Sequence, residues 1–210
     1  MKRDFELDVL GAVNLGGIEN VKLPDPYLLD HYTRRKDRSI FLNTAIDSNF
    51  VDIYQDILSW NKEDAGVKIE DRKPIKIYIN TIGGELPAVL TIIDLILMSK
   101  TPVYTIGLGM CYSSGGLLLM AGHKRMILPS CTVLIHDGRG GALGDTGKVL
   151  DNLEFSKDTE AMVKAFVLSH TSISEEVYDK NYRRDWFIFA NEAIKLGIAD
   201  SIVTDINEII

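Results

Sequence analysis

Between Asn43 and the charged stretch 61–73, apolar residues recur at intervals of three and four: Phe50, Val51, Ile53, Tyr54, Ile57 and Leu58. That spacing lines one face of a helix and predicts one over 47–60. Ile75-Lys-Ile-Tyr-Ile79 alternates instead around β-branched residues, which predicts a strand. Shorter strands are expected at 39–43, 103–106, 125–128, 132–135 and 201–203. Helices are expected from Glu85 to about Ser99, from Ser113 to about Ala121, and over 146–169, 174–182 and 191–197, the last stopped by Gly197. Strands that alternate with helices imply parallel pairing through right-handed crossovers. The fold class is therefore α/β. The first 25 residues lack periodicity and carry Gly11, Gly16 and Gly17, which predicts a mobile N-terminal arm over 1–25 and a single domain over 26–210.

Composition narrows the function classes. The chain has 210 residues, 46% of them hydrophobic, and a net charge of −7. An acidic balance with only short basic clusters, Arg34-Arg35-Lys36 and Arg183-Arg184, argues against nucleic acid as a partner. No apolar run is long enough to span a membrane, and acids stand where a signal peptide needs its apolar core. A cytoplasmic location is expected. The two cysteines, Cys111 and Cys131, lack metal-ligand spacing and read as reduced packing residues. His31, His123 and His170 have no ligand partners at helical or hairpin spacing, so no metal is expected, and no cofactor either. Gly141-Ala-Leu-Gly-Asp-Thr-Gly-Lys-Val149 misses the opening glycine and the closing Ser/Thr of a phosphate loop.

The chemistry concentrates at Ser113 and His136. Ser113 sits on a glycine-rich step, Gly109-Met-Cys-Tyr-Ser-Ser-Gly-Gly116, between a predicted strand and a predicted helix. Serine is a weak nucleophile until a positioned base takes its proton, and histidine is the usual base near neutral pH. His136 follows the strand 132–135. A helix N-terminus beneath Ser113 favours developing negative charge. The Gly83-Gly84 turn after the neighbouring strand, together with the amide of Ser114, supplies candidate oxyanion donors. A serine at a helix start also reads as an ordinary N-cap. Residue chemistry leaves the third member open among Asp137, Asp151, Asp179, Asp185 and Asp200.

Several of these segments occur in one order. Asp37-Arg-Ser-Ile-Phe-Leu42, Ile77-Tyr-Ile-Asn-Thr-Ile-Gly-Gly84, Gly109 to Gly122, Ile135-His-Asp-Gly-Arg-Gly-Gly141 and Arg184-Asp-Trp-Phe187 follow the sequence of motifs in the Clp protease proteolytic subunit family. The chain resembles that family over roughly 26–204. The resemblance implies a serine endopeptidase with Ser113 as nucleophile, His136 as base and Asp185 as its orienter. It places the oxyanion donors on Gly83, Gly84 and Ser114. It further implies the crotonase-like fold of stacked ββα units, with 146–169 as a projecting handle helix. The partners implied are copies of the chain itself, in heptameric rings paired into a tetradecamer, a Clp-type AAA+ ATPase, and unfolded polypeptide or peptide substrates. The alternatives are a catalytically silent ring or scaffold subunit, an acyl-CoA enzyme of the related crotonase group, and a capsid-maturation protease of the same fold. The chain departs from the family's usual wording at Asp137-Gly138 after the base, at Arg183 before the Arg-Asp pair, and at Lys76 on the second strand.

Overall fold

The computed structural model describes residues 26–48 and 51–210. The expected arm over 1–25 lies outside the described residues. Compactness divides the chain at Asp37–Arg38. Of the first unit the structure describes one helix, α1 (Pro26–Asp37), which carries Arg34, Arg35 and Lys36 in its last turn. Everything below concerns the second unit, Arg38–Ile210.

That unit is a seven-stranded sheet with helices packed against it. Four strands follow the predicted positions closely: β1 (Ser39–Leu42), β2 (Ile75–Thr81), β4 (Lys124–Ile127) and β5 (Thr132–Ile135). With β3 (Val103–Tyr112) and β7 (Ser201–Ile202), the parallel order is β1-β2-β3-β4-β7. The strand β6 (Trp186–Phe189) was not anticipated. It runs antiparallel to β5, the one exception to the parallel pairing that alternation implies.

The alternation in β2 has the physical outcome expected of a sheet covered on both faces. Ile75, Ile77 and Ile79 are fully buried in the main core, while Tyr78 joins a smaller cluster with Ile106, Met126, Val203 and Ile209. The main core is built with α2 (Val51–Glu63), α3 (Leu86–Met98) and α4 (Ser114–Met120). Of the periodic residues in the first predicted helix, Ile53 and Ile57 are buried and Leu58 is exposed. Glu85 caps α3 with extended backbone, and Pro87 fits its first turn, where an N–H would be unpaired in any case.

β3 is the strand that positions the site. Its first half lies between β2 and β4, and its last residues pair with β5 instead. Ile79 pairs with Gly107 but Thr81 pairs with Cys111, so β3 carries a bulge between them. Asn80 fills it: its Oδ1 accepts the Met110 N–H at 3.1 Å, and a Cβ on Gly109 would fall 2.7 Å from that same oxygen. Downstream, α5 (Thr146–His170) is 25 residues long, and only its C-terminal part packs on the core, through Val163, Phe166, Val167 and Leu168. Then follow α6 (Glu175–Asn181) and α7 (Ala190–Lys195).

Candidate active site

Ser113 occupies the step from β3 into α4 with φ 56° and ψ −123°, a conformation that L-residues other than glycine rarely adopt. Three backbone bonds hold it there. Its N–H donates to Leu134 O at 2.9 Å, and its carbonyl accepts the N–H groups of Gly116 at 2.9 Å and Leu117 at 3.3 Å. The residue stands at the N-cap position, yet its side chain caps nothing, so Oγ is left for other chemistry. Glycine is required just after it. A Cβ at 115 would lie 2.6 Å from Thr81 Cγ2, and one at 116 would lie 3.1 Å from Cys111 O.

His136 and Asp185 meet because of strand register. In the antiparallel β5–β6 ladder Ile135 faces Trp186, so the next residues outward, His136 and Asp185, face each other. Nδ1 of His136 lies 3.3 Å from Oδ1 of Asp185, with the imidazole mostly buried and the carboxylate 63% exposed. On the other side of β5, Leu134 pairs with Tyr112, which brings Ser113 beside the same strand end. Neither a Ser113–His136 hydrogen bond nor any other partner for Ser113 Oγ is present among the described residues.

The glycine turn abuts Ser113. Gly83 has φ 92°, and a Cβ there would fall 2.5 Å from Tyr112 O and 2.8 Å from Ser113 Cβ. Gly84 forms a parallel bridge with Ile46, made by the Ile46 N–H donating to Gly83 O at 2.9 Å and the Glu85 N–H donating to Ile46 O at 2.8 Å. In such a bridge the N–H and carbonyl of Gly84 itself point away from Ile46. Its carbonyl meets the hydroxyl of the buried Ser114 at 3.3 Å. The Gly83 N–H is spent on Thr81 Oγ1 at 3.1 Å, and Thr81 in turn donates to Thr44 O at 2.6 Å. No partner of the Gly84 or Ser114 N–H is found among the described residues.

The remaining candidates separate cleanly. Asp200 grips the Arg125 guanidinium and backbone N–H, and Asp179 pairs with Lys164 at 2.7 Å. Asp151 and Asp137 are exposed. Cys111 and Cys131 are both buried free thiols with sulfurs 3.8 Å apart. The hydrogen bond between them and burial push the Cys111 thiol well above its ordinary range, which keeps it protonated and a poor nucleophile. His123 accepts the Val103 N–H through Nδ1 at 3.0 Å, and burial lowers its pKa. His170 is engaged with Phe166 O and Ser169 Oγ. Two contributors were missed by the sequence reading, Thr81 as the prop of the turn and Asn80 as the plug of the bulge. Both are polar residues at the end of an apolar strand, which is the signal that marks them.

The Clp protease family profile matches residues 27–205. The chain belongs to that family. It is 34% identical over 184 residues to an ATP-dependent Clp protease proteolytic subunit of Deinococcus radiodurans, a match covering 85% of this chain and 87% of that protein. By family it is a serine endopeptidase subunit of the Clp type. The mixed α/β architecture with its mostly parallel sheet is the fold that membership implies. No helix among the described residues is long and apolar enough to cross a membrane.

Proposed function

We propose that Ser113, His136 and Asp185 are the acyl-transfer triad of this endopeptidase, with the amides of Gly84 and Ser114 as its oxyanion donors. The observation that carries the reading is the His136–Asp185 contact at 3.3 Å beside a serine held at φ 56°. Asp185 fixes the tautomer in which Nδ1 carries the proton, which leaves Nε2 free to accept one. Ser113 Oγ attacks the scissile carbonyl as Nε2 takes its proton. The oxyanion that forms is stabilised by the two amides and by the N-terminus of α4. The imidazolium then protonates the leaving amine, and water hydrolyses the acyl-enzyme by the same route. The His136–Asp185 contact at 3.3 Å supports the His–Asp half. The Ser–His half tightens when substrate is bound, as is usual for catalytic hydrogen bonds. Gly83 contributes shape rather than a donor, because its N–H is already paired with Thr81.

The working form we infer is a closed chamber of self-associated subunits, heptameric rings stacked in pairs, fed with unfolded polypeptide by a Clp-type ATPase in the cytoplasm. Support comes from family membership and from α5, whose first four turns are exposed and carry Leu150, Leu153 and Phe155 in the open. A 25-residue helix is about 37 Å long, far more than its packed end needs.

A fluorophosphonate probe on assembled protein tests the triad. One covalent adduct on Ser113 and hydrolysis of a fluorogenic peptide that disappears in Ser113→Ala, by about 10⁵–10⁶ in kcat, are expected. Unlabelled Ser113 in the active assembly sinks the reading.

A further inference from the structure

Tyr112 has no role in the chemistry above, yet its side chain joins the strand of the nucleophile to the strands of the base and the orienter. Its hydroxyl shares a hydrogen bond of 2.9 Å with Thr132 Oγ1 on β5. Its ring meets the ring of Phe187 on β6 edge to face, with centroids 5.7 Å apart and planes at 78°. The register explains how one residue reaches both. Leu134 pairs with Tyr112 on one side and with Phe187 on the other, so the two rings flank the middle strand of a row and close over it. Leu134 is buried beneath them although Phe187 is half exposed.

The placement in sequence matters as much. Tyr112 immediately precedes Ser113, Thr132 stands four residues before His136, and Phe187 stands two after Asp185. Its carbonyl faces the Gly83 turn at a distance that excludes a side chain there. A strained backbone conformation persists only where its surroundings over-determine it. Ladder bonds, among them the Ser113 N–H on Leu134 O, fix the spacing of β3, β5 and β6, but they leave the tilt of one strand end against the next to side chains. The structure assigns that tilt to Tyr112: we propose that it is a positioning residue, which holds Ser113 in line with the His136–Asp185 pair by clamping Thr132 and Phe187. This rests on the triad reading, and it acts through the triad rather than on substrate.

The experiment uses full-length assembled protein and reads kcat, KM and the rate of Ser113 acylation by a fluorophosphonate. Tyr112→Phe keeps the ring on Phe187 and removes the hydroxyl. Thr132→Val removes the other partner of the same bond. Each is expected to lower kcat and the acylation rate about tenfold with KM little changed, and the double variant to be no worse than either single one. Thr132→Ser, which keeps a hydroxyl, restores the parent rate. Phe187→Leu, which weakens the ring contact and leaves the hydrogen bond, lowers acylation in the same sense. In an Asp185→Asn background the Tyr112→Phe loss shrinks below about twofold, since the pair it positions is already broken. Unchanged acylation in both Tyr112→Phe and Phe187→Leu overturns the proposal. So does an undiminished loss in the Asp185→Asn background, the signature of a merely structural role. Failure of the triad reading is separate, because it shows as unlabelled Ser113 in the parent protein.

Discussion

A serine at φ 56° costs on the order of 1–3 kcal/mol relative to relaxed backbone, and Ser113 bears that cost with no hydrogen bond from its side chain in return. Stability and activity are therefore opposed at this residue. Ser113→Gly is expected to raise the unfolding free energy by about 1 kcal/mol in urea titrations while abolishing peptide hydrolysis. A lower denaturation midpoint for that variant contradicts the strain argument. The converse holds at Gly84, where a Cβ would land 1.9 Å from Ile46 O. Gly84→Ala must displace the turn from Ile46, and with it the amide proposed for the oxyanion. Turnover is expected to fall by at least about 10²-fold, measured on a fluorogenic peptide, while far-ultraviolet circular dichroism keeps its helical signal.

Among the elements, those with strong periodicity were legible from the chain alone. β2 showed its period of two, α3 its apolar run between Glu85 and Ser99, and α5 its length. β6 was not legible, because Trp186-Phe-Ile-Phe189 is only four residues long, has no alternation of polarity, and takes its identity from pairing with β5. The same cause hid the third member of the proposed triad. Five aspartates were open on residue chemistry, and what singles out Asp185 geometrically is a ladder register that spacing cannot reveal. The resemblance to a family named it where physics from one chain could not. Long-range polar anchors were equally invisible. Arg38, just before β1, forms a two-pronged pair with Asp64 after α2, at 2.6 and 2.8 Å, and Thr101 donates to the same carboxylate at 2.8 Å. The hydrogen bond from Arg38 is the main reason that the Asp64 carboxyl is held below its ordinary range. A depressed folded-state pKa adds stability that is present above the unfolded value, near pH 4, and is lost as pH falls through the folded one. Asp64→Ala takes the two-pronged carboxylate from the mostly buried Arg38 guanidinium, which keeps Lys73 O and Glu63, and is expected to cost about 3 kcal/mol at pH 7. The deficit relative to the parent should narrow in denaturation curves recorded at progressively more acid pH, and a constant deficit refutes the assignment.

At the scale of the whole molecule, α5 leaves apolar side chains open among the described residues, with Phe155 at 71% exposure and Leu150 at 60%. A net charge of −7 keeps single subunits apart, so association must be bought with apolar area. For the paired rings proposed above, Leu150→Glu with Leu153→Glu is expected to halve the particle mass in sedimentation while leaving the melting of the subunit within about 1 kcal/mol of the parent. An unchanged mass contradicts a ring-to-ring contact through α5. The bulge in β3 carries a rule about length. Between Gly107 and Cys111 the strand holds two residues more than its partner needs, an even surplus, so the inward positions 105 and 107 are continued in phase by Cys111. Parity is what lets Ser113 emerge on the side of the glycine turn. Removing one residue from the bulge inverts the phase and turns Ser113 to the opposite face, whereas removing two keeps it. The catalytic step proposed for Ser113 is thus tied to the odd or even count of a strand rather than to any one side chain within it.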